Sequence, residues 1–298
     1  MSTGLYAVQH IRRMRGGSQA HLLRASDGAY YVTKFQNNPQ HVRVLANEMF
    51  ATRLAQWLGL PVPQVEVIDI SDWLIANTPE LRVEVGGAAV PCSSGRQLGS
   101  LYCCDPSTSV FDYLPEQALG RVTNLQDFAR ILAFDKWTGN SDGRQAIFSR
   151  KNNRGCYYAS FIDHGYCFNA GEWSFADSPR RGVYPRDCVY ADVTGWESFE
   201  PALSRAEEAD ILDLWLCAEL MPCEWYGHDA GALSKLVEEL FARRKRIREL
   251  IRDFRYSSRN PFPNWTDRTI LPNPRDALSN KPDLSIPSEM TKLELPAD

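Results

Sequence analysis

The sequence has no long hydrophobic run and no excess of positive charge. No apolar stretch approaches the roughly 20 residues that a transmembrane helix needs, and the opening residues Met1–Tyr6 lack the apolar core of a secretion signal. The net charge is −4 and the pI is near 5.8, so the chain as a whole is not attracted to nucleic acid or to an anionic membrane. We therefore expect a cytoplasmic protein that acts on a small molecule or a protein, with neither nucleic acid nor membrane as a partner.

The sequence also lacks the dense cysteine framework of a small secreted domain. Its eight cysteines are spread over 298 residues, and no two of them form a C-x-x-C pair. Hydrophobic residues make up 44% of the chain, which is enough for a large core without disulfides. We expect reduced thiols and either one large domain or two lobes.

The first 98 residues are predicted to be rich in β-strands. The opening strands are joined by tight turns, one of them at Gly16–Ser18. Lys34 lies near the end of a predicted strand, Tyr30–Phe35. From about Gln40 to Leu58 the apolar residues recur at helical spacing, which predicts an amphipathic helix that carries Glu48.

Beyond residue 98 the pattern becomes mainly helical, and after residue 256 it is lost. Residues 257–298 contain seven prolines in 42 residues and show little periodicity. We expect an α+β fold with a β-rich N-lobe (residues 1–98), a mainly α-helical C-lobe (99–256) and a Pro-rich tail (257–298) that is extended or disordered. The predicted C-lobe elements are a helix over Asn124–Trp137, strands around Ile147 and over Tyr157–Ile162, and helices at about Ala206–Leu220 and Ala232–Phe254.

Two acids, Asp142 and Asp163, carry the most functional information. Asp142 lies in a polar loop after the Asn124–Trp137 helix, and Asp163 ends the next aromatic strand. An acid in a loop can orient a hydroxyl and accept its proton, whereas an acid that ends a strand can hold Mg²⁺ against nucleotide phosphates. Asp in a Gly/Asn/Ser loop is also a common turn former, so the prediction depends on the whole ordered set of residues.

The order of the parts is typical of a protein-kinase-like fold. The glycines at 16 and 17 would let backbone N–H groups approach phosphates closely. Lys34 would neutralise phosphate charge, and Glu48 on the helix would pair with Lys34 and hold it in place. Lys34 or Glu48 alone would be read as an ordinary surface residue.

Five strings of residues then identify a family. They are MRGGSQ at 14–19, YVTKF at 31–35, NE at 47–48 with LGLPVP at 58–63, DKWTGNSDGR at 135–144 and IDHG at 162–165. Together they resemble the HipA-like kinase family, and they are more similar to the stand-alone HipA-like kinase domains of bacteria than to the longer HipA toxins. The resemblance runs from about residue 10 to about residue 256.

The resemblance implies a two-lobed kinase with ATP and Mg²⁺ in its cleft. By position, Gly16, Gly17 and Ser18 would form the phosphate loop, Lys34 would contact the ATP phosphates and Glu48 would be its partner. Asp142 would be the catalytic base and Asp163 the metal-binding acid. HipA toxins phosphorylate a Ser on a protein target, so the resemblance implies transfer of the γ-phosphate to a Ser or Thr hydroxyl of a protein.

One position departs from the pattern of these kinases. They place a metal-binding Asn five residues after the catalytic Asp, where this chain has Ile147. Gln145, Asn140 or Ser149 could supply a hard oxygen instead, or the site could work with one protein-bound metal; we take Gln145 as the candidate second metal ligand. The alternative is a nucleotide-binding pseudokinase, or a regulatory interaction module, with little or no phosphotransfer.

Two further residues near the acids are expected to be structural. Asp135, at the apolar end of the helix before the Asp142 loop, is predicted to be a buried polar anchor for that loop, because a buried carboxylate needs hydrogen-bond partners. His164 is expected to pack beside Asp163 without a chemical role.

Overall fold

The computed structural model describes residues 4–102, 105, 107–152 and 155–266. Its N-terminal elements are β1 (Ala7–Arg13), β2 (His21–Ala25), β3 (Tyr30–Lys34), α1 (Val44–Trp57), β4 (Val65–Ile70), α2 (Asp72–Ala76), β5 (Arg82–Val85), β6 (Ala88–Pro91) and β7 (Gly95–Tyr102). Five of the strands form an antiparallel sheet in the order β1-β2-β3-β7-β4, and β5 and β6 form a separate hairpin.

The C-terminal part is mainly helical, with one small antiparallel sheet of order β10-β9-β8. Its elements are β8 (Thr108–Phe111), α3 (Glu116–Leu119), α4 (Asp127–Thr138), β9 (Gln145–Lys151), β10 (Tyr158–Ile162), α5 (Ala202–Glu208), α6 (Ile211–Ala218), α7 (Ala230–Arg243) and α8 (Ile247–Arg255). The predicted α+β class, with a β-rich first part and a helical second part, is confirmed.

Helix α1 is the element that joins these two parts. The sequence predicted an amphipathic helix, but 11 of its 14 residues are buried, because α1 packs against β4 and β7 and also against α4 and α6. It begins at Val44 rather than near Gln40, since the side chain of Asn38 accepts the Gln40 N–H at 2.9 Å in a turn. Gly59, with φ +78°, follows its C-terminus.

The strand registers bring two of the predicted site residues to one place. Ile162, the last residue of β10, pairs with Gln145, the first residue of β9. Asp163 follows Ile162 directly, so its side chain and that of Gln145 lie at the same end of this sheet. Lys34 ends β3, where it pairs with Leu98 of β7 in the N-terminal sheet.

The two long helices predicted near the C-terminus are each interrupted. The helix expected over Ala206–Leu220 is divided into α5 and α6, because Asp210 caps the Leu212 N–H at 3.0 Å and the Asp213 carboxylate accepts the Asp210 N–H at 2.9 Å. The helix expected over Ala232–Phe254 is divided by a short 3-10 turn at Arg244–Arg246. The apolar stripe continues across both breaks, which is why periodicity alone did not reveal them.

The N-terminal sheet extends beyond residue 98, because β7 ends at Tyr102. Residue 98 lies inside β7, so we propose that the N-lobe extends to Tyr102.

The first part of the predicted tail packs on the C-terminal part, where Phe262 and Trp265 are buried in an aromatic cluster with Tyr190, Phe199 and Phe254. Residues 267–298 of that tail lie outside the described residues. In the part of the chain that is described, no helix is both long and apolar enough to cross a membrane.

Candidate active site

Lys34 lies at the centre of the candidate site, between two carboxylates. Its Nζ atom donates to Glu48 Oε2 on α1 and to Asp163 Oδ1 after β10, each at 2.8 Å. The side chains of Lys34, Glu48 and Asp163 are 10%, 7% and 18% exposed. The structure therefore brings three residues together that the sequence separates by up to 129 positions.

The charges of this cluster support one another. Burial alone would lower the pKa of Lys34, but the charges of Glu48 and Asp163 raise it above its ordinary value. Burial alone would raise the pKa of Asp163, but Lys34 holds it below its usual range. One ammonium between two carboxylates leaves a net charge of −1 on the cluster, which favours a cation close by.

Asp163 Oδ2 accepts a hydrogen bond from Gln145 Nε2 at 2.8 Å. Gln145 therefore touches the carboxylate that the resemblance assigns to the metal. Carboxylate and amide oxygens are hard ligands of the kind that Mg²⁺ prefers, and Mg²⁺ in phosphotransfer sites usually takes only one or two protein carboxylates beside substrate phosphates. The residues present fit a magnesium ion, provided that Gln145 turns its amide oxygen toward it.

Asp142 lies in an exposed loop that hydrogen bonds to buried residues hold in place. Helix α4 ends at Gly139 in the left-handed conformation, with φ +61°. The next residue, Asn140, is fully buried; its Oδ1 accepts the Asp142 N–H at 3.1 Å, and its Nδ2 donates to Asp135 Oδ1 at 3.0 Å. The Asp142 carboxylate itself accepts the Gly143 N–H at 2.7 Å, and its side chain is exposed to solvent, where a substrate hydroxyl can reach it.

A buried ion pair supports this loop. Arg144 Nε donates to Asp135 Oδ2 at 2.9 Å, and Arg144 Nη1 donates to the carbonyl oxygen of Ile162 at 2.8 Å. Both side chains are completely buried. The prediction that Asp135 is a buried polar anchor is confirmed, and Arg144 links that anchor to Ile162, the strand residue directly before Asp163. No role was predicted for Arg144 from the sequence, and its only signal there is its position directly after Asp142-Gly143.

The Asp142 loop and the segment after Asp163 are also joined directly. The backbone N–H and the hydroxyl of Ser141 both donate to the Tyr166 carbonyl oxygen, at 3.0 and 3.1 Å. The two predicted acids therefore lie on neighbouring, mutually bonded segments.

Asn47 is a positioning residue that the sequence did not reveal. It is fully buried on α1, next to Glu48, and its Nδ2 lies 2.7–3.0 Å from three backbone oxygens in the segment after Asp163. Its Oδ1 accepts from Trp173 Nε1 at 2.6 Å. The three oxygens belong to Gly165, Cys167 and Ala170. Asn47 thereby fixes the Asp163 segment to the helix that carries the partner of Lys34.

Close packing explains the glycine in the Asp163 segment. A Cβ atom on Gly165 would lie 2.8 Å from Val44 Cγ2 and 3.3 Å from Glu48 Oε2, so only glycine allows this approach to α1. Asp163 itself has φ +62°, a conformation that Asp tolerates better than most residues. His164 is buried edge-on against Phe134 at 5.7 Å, and burial holds its pKa well below the ordinary value. A neutral packed imidazole agrees with the structural role expected for it.

The predicted phosphate turn lies between β1 and β2. Gly16 has φ +117°, the Gln19 N–H donates to its carbonyl oxygen at 3.2 Å, and Gly17 is exposed beside it. The carbonyl oxygen of Ser18 accepts from Asn38 Nδ2 at 2.7 Å. Within the described residues, neither this turn nor Asp142 makes a direct hydrogen bond to the cluster around Lys34.

The β-rich lobe, the ion-paired lysine and the two loop acids define a protein of the kinase-like class, and comparisons with known proteins agree. Residues 8–169 match the family model described as HipA-like kinase. The match spans more than half of the chain, and the protein belongs to the HipA-like kinase family. No curated protein matches the chain by sequence.

Solved structures show the same fold at low identity. Hydra Fam20, solved with sugar, is 12% identical with a TM-score of 0.55, and the match covers 87% of this chain and 89% of that one. The proinflammatory kinase CtkA of Helicobacter pylori is 15% identical with a TM-score of 0.51, and the match covers 80% of this chain and 94% of that one. HipA of Shewanella oneidensis MR-1 is 12% identical with a TM-score of 0.47, covering 82% and 68%. The first two establish the kinase-like fold.

Proposed function

We propose that the protein is an ATP- and Mg²⁺-dependent kinase that transfers the γ-phosphate to a Ser or Thr hydroxyl of a protein. The observation that carries this proposal is the double ion pair of Lys34 with Glu48 and Asp163, at 2.8 Å each. A lysine held by a helix acid and next to a metal-binding acid is the arrangement that active kinases require. Membership of the HipA-like kinase family supports it.

Each site residue then has a defined task. Lys34 would bind the nucleotide phosphates while Glu48 keeps its ammonium in place, and the turn at Gly16–Ser18 would donate backbone N–H groups to the same phosphates. Asp163, with Gln145 beside it, would hold the metal ion. When bound, Mg²⁺ would neutralise charge on the phosphates and orient the γ-phosphoryl group.

Asp142 would act on the acceptor. Its carboxylate would accept a hydrogen bond from the Ser or Thr hydroxyl, orient the oxygen in line with the γ-phosphorus and take the proton as transfer proceeds. The new bond joins the hydroxyl oxygen to phosphorus, the bond from phosphorus to the β–γ bridging oxygen breaks, and ADP leaves. Asn140 and the buried Asp135 anchor would hold the loop still during this step.

One observation favours a second candidate, a nucleotide-binding pseudokinase. Ile147 lies half-buried on β9, at the position where kinases of this type carry a metal-binding Asn. A hydrocarbon side chain cannot ligate Mg²⁺. If Gln145 does not replace the missing ligand, the cleft would bind nucleotide and transfer poorly.

The deciding experiment combines phosphotransfer with nucleotide binding. The purified protein is incubated with γ-labelled ATP, Mg²⁺ and a mixture of Ser-containing peptides, and label on protein, peptide and free phosphate is followed beside a nucleotide melting-shift assay. Asp142→Asn and Asp163→Asn are compared with Asp192→Asn, an exposed acid outside the site.

The two candidates predict different results. A kinase transfers label, loses transfer in both site variants and keeps it in Asp192→Asn, while Asp142→Asn retains the melting shift because nucleotide binding does not need the base. A melting shift in the unaltered protein and in Asp192→Asn, without transfer by either, would favour the pseudokinase. Transfer that survives Asp142→Asn would show that Asp142 is not the base.

A further inference from the structure

A basic segment lies directly beside the candidate base. We call residues 178–186 the strap. The Gly182 N–H donates to the carbonyl oxygen of Asp142 at 3.0 Å, and the Arg144 N–H donates to the carbonyl oxygen of Val183 at 3.1 Å. Residues 178–180 of the strap are exposed. Any acceptor segment that presents a hydroxyl to Asp142 must therefore pass close to the strap.

Buried groups hold the strap in one position. Lys136, on α4, is buried, and its Nζ donates to the carbonyl oxygens of Pro179 and Arg181 at 2.8 and 2.6 Å. Gly182 has φ +67°, and a Cβ atom there would lie 2.5 Å from Asp135 Cβ, so the strap rests against the anchor of the catalytic loop. The strap is a fixed surface at the acceptor side of the site.

The strap carries three arginines whose charges are not compensated. None of Arg180, Arg181 and Arg186 has a carboxylate within 4.0 Å among the described residues. Their hydrogen bonds go to neutral oxygens instead. Arg180 donates to Ser258 Oγ, Arg181 to Asn169 Oδ1 and the Ala176 carbonyl oxygen, and Arg186 to the Leu114 carbonyl oxygen.

The acids closest in sequence to the strap are already paired elsewhere. Asp177 contacts both Arg243 and Arg246, and Asp187 contacts Arg259 at 2.8 Å. They are therefore poor partners for the strap arginines. Three arginines without a carboxylate partner therefore lie on a segment that is hydrogen-bonded to the Asp142 loop, in a chain whose net charge is −4.

We propose that the strap selects acidic acceptors, so that the preferred substrate is a protein segment with Asp or Glu next to the Ser or Thr that receives phosphate. This inference rests on the proposed kinase function. Guanidinium groups bind carboxylates in paired hydrogen bonds. Asp142, Asp163 and the bound phosphates are all negative, and the strap arginines would offset the repulsion that an acidic acceptor otherwise meets in the cleft.

Peptide kinetics test the proposal. Three peptides with one central Ser are compared, with Glu, Gln or Lys at the flanking positions and otherwise the same sequence. We expect kcat/KM to be about tenfold higher for the Glu peptide than for the Gln peptide, since each exposed charge pair contributes a few-fold, and lowest for the Lys peptide. The advantage should shrink at high salt.

Reversing the charge of one strap arginine tests whether the strap causes the preference for the Glu peptide. Arg180→Glu, which loses only the exposed contact to Ser258, should lower kcat/KM for the Glu peptide by about tenfold through KM and raise it for the Lys peptide. Arg24→Glu, an exposed arginine on β2, is the matched control and should keep the preference for the Glu peptide.

The possible failures are distinct. An active enzyme with equal kcat/KM for the three peptides, or a Glu preference that Arg180→Glu leaves intact, would overturn the inference alone. Nucleotide binding without transfer to any peptide or protein would overturn the proposed function, and this inference with it.

Discussion

Replacing Lys34 with Met tests the central cluster most directly. The change removes the ammonium that lies 2.8 Å from both Glu48 and Asp163. Breaking a buried pair from one side typically costs about 3–5 kcal/mol, because the remaining charge is left unpaired. The carboxylates are 7% and 18% exposed, so we expect a loss near the lower end, about 3 kcal/mol at about pH 7.

The loss should depend on pH in a defined direction. In the unaltered protein Lys34 lowers the pKa of Asp163, so the stability that this pair contributes is present above the unfolded pKa and is lost only in acid. Without Lys34, the burial that raises the pKa of Asp163 is opposed only by the charge of Arg144 and the hydrogen bond from Gln145, so the carboxylate takes up a proton more easily. The difference between the two proteins should therefore become smaller as the pH is lowered from about 7 toward about 5.

Urea unfolding of the ligand-free proteins at several pH values measures this difference. Lys235→Met removes an exposed i,i+4 pair with Glu239 at 3.6 Å and serves as the control, with an expected loss below about 0.5 kcal/mol. The double variant Lys34→Met with Glu48→Gln should recover part of the loss, since it removes one of the unpaired charges. A loss for Lys34→Met no larger than the control, or one that does not change with pH, would refute the buried ion-paired cluster.

Three further predictions concern residues around this cluster. Asn47→Asp should lower the free energy of unfolding by about 3 kcal/mol in urea titration, because a carboxylate would face the backbone oxygens that Asn47 now contacts. A loss below about 1 kcal/mol would contradict the role of Asn47 in holding the segment after Asp163. Burial lowers the pKa of Lys136 to about 8 from 10.5, so between these pH values the unfolded chain binds a proton at Lys136 that the folded protein has released. The free energy of unfolding should therefore rise with pH from about 8 to 10.5 by up to about 3 kcal/mol. Lys136→Met should lack this rise, and an equal rise in both proteins would exclude Lys136 as its source. Gln145→Ala should raise the Mg²⁺ concentration for half-maximal activity by about tenfold, whereas Ile147→Asn should change that concentration little. A large change for Ile147→Asn with little change for Gln145→Ala would assign the missing ligand to position 147.

The places of Lys34, Glu48, Asp142 and Asp163 on their strands, helix and loops could be predicted because these residues follow a recognisable order along the chain. Lys34 at a strand end, Glu48 on the helix and Asp163 after a strand each follow from local patterns, and the structure brings these three into contact. Asp135 could be predicted as an anchor from the cost of burying a carboxylate.

The residues that hold the site together left no such pattern. Asn47 and Lys136 bind backbone carbonyl oxygens, and the two bonds of Lys136 span 43 and 45 positions. A contact to a backbone oxygen does not depend on the type of residue that supplies it, so no pairing of side chains marks it in a single sequence. The break between α5 and α6 did have a local signal, the capping pair Asp210 and Asp213, but the apolar stripe that crosses it was the stronger one.

Both carboxylate oxygens of Asp163 are engaged before any ligand arrives, one by Lys34 and the other by Gln145. Under the proposed function, a metal ion at Asp163 would share these oxygens with Lys34 and Gln145, because each carboxylate oxygen can accept more than one contact. A metal already bound to nucleotide would also bring phosphates that give Lys34 a further anionic partner. We therefore expect Mg²⁺ to bind at Asp163 more tightly together with nucleotide than alone.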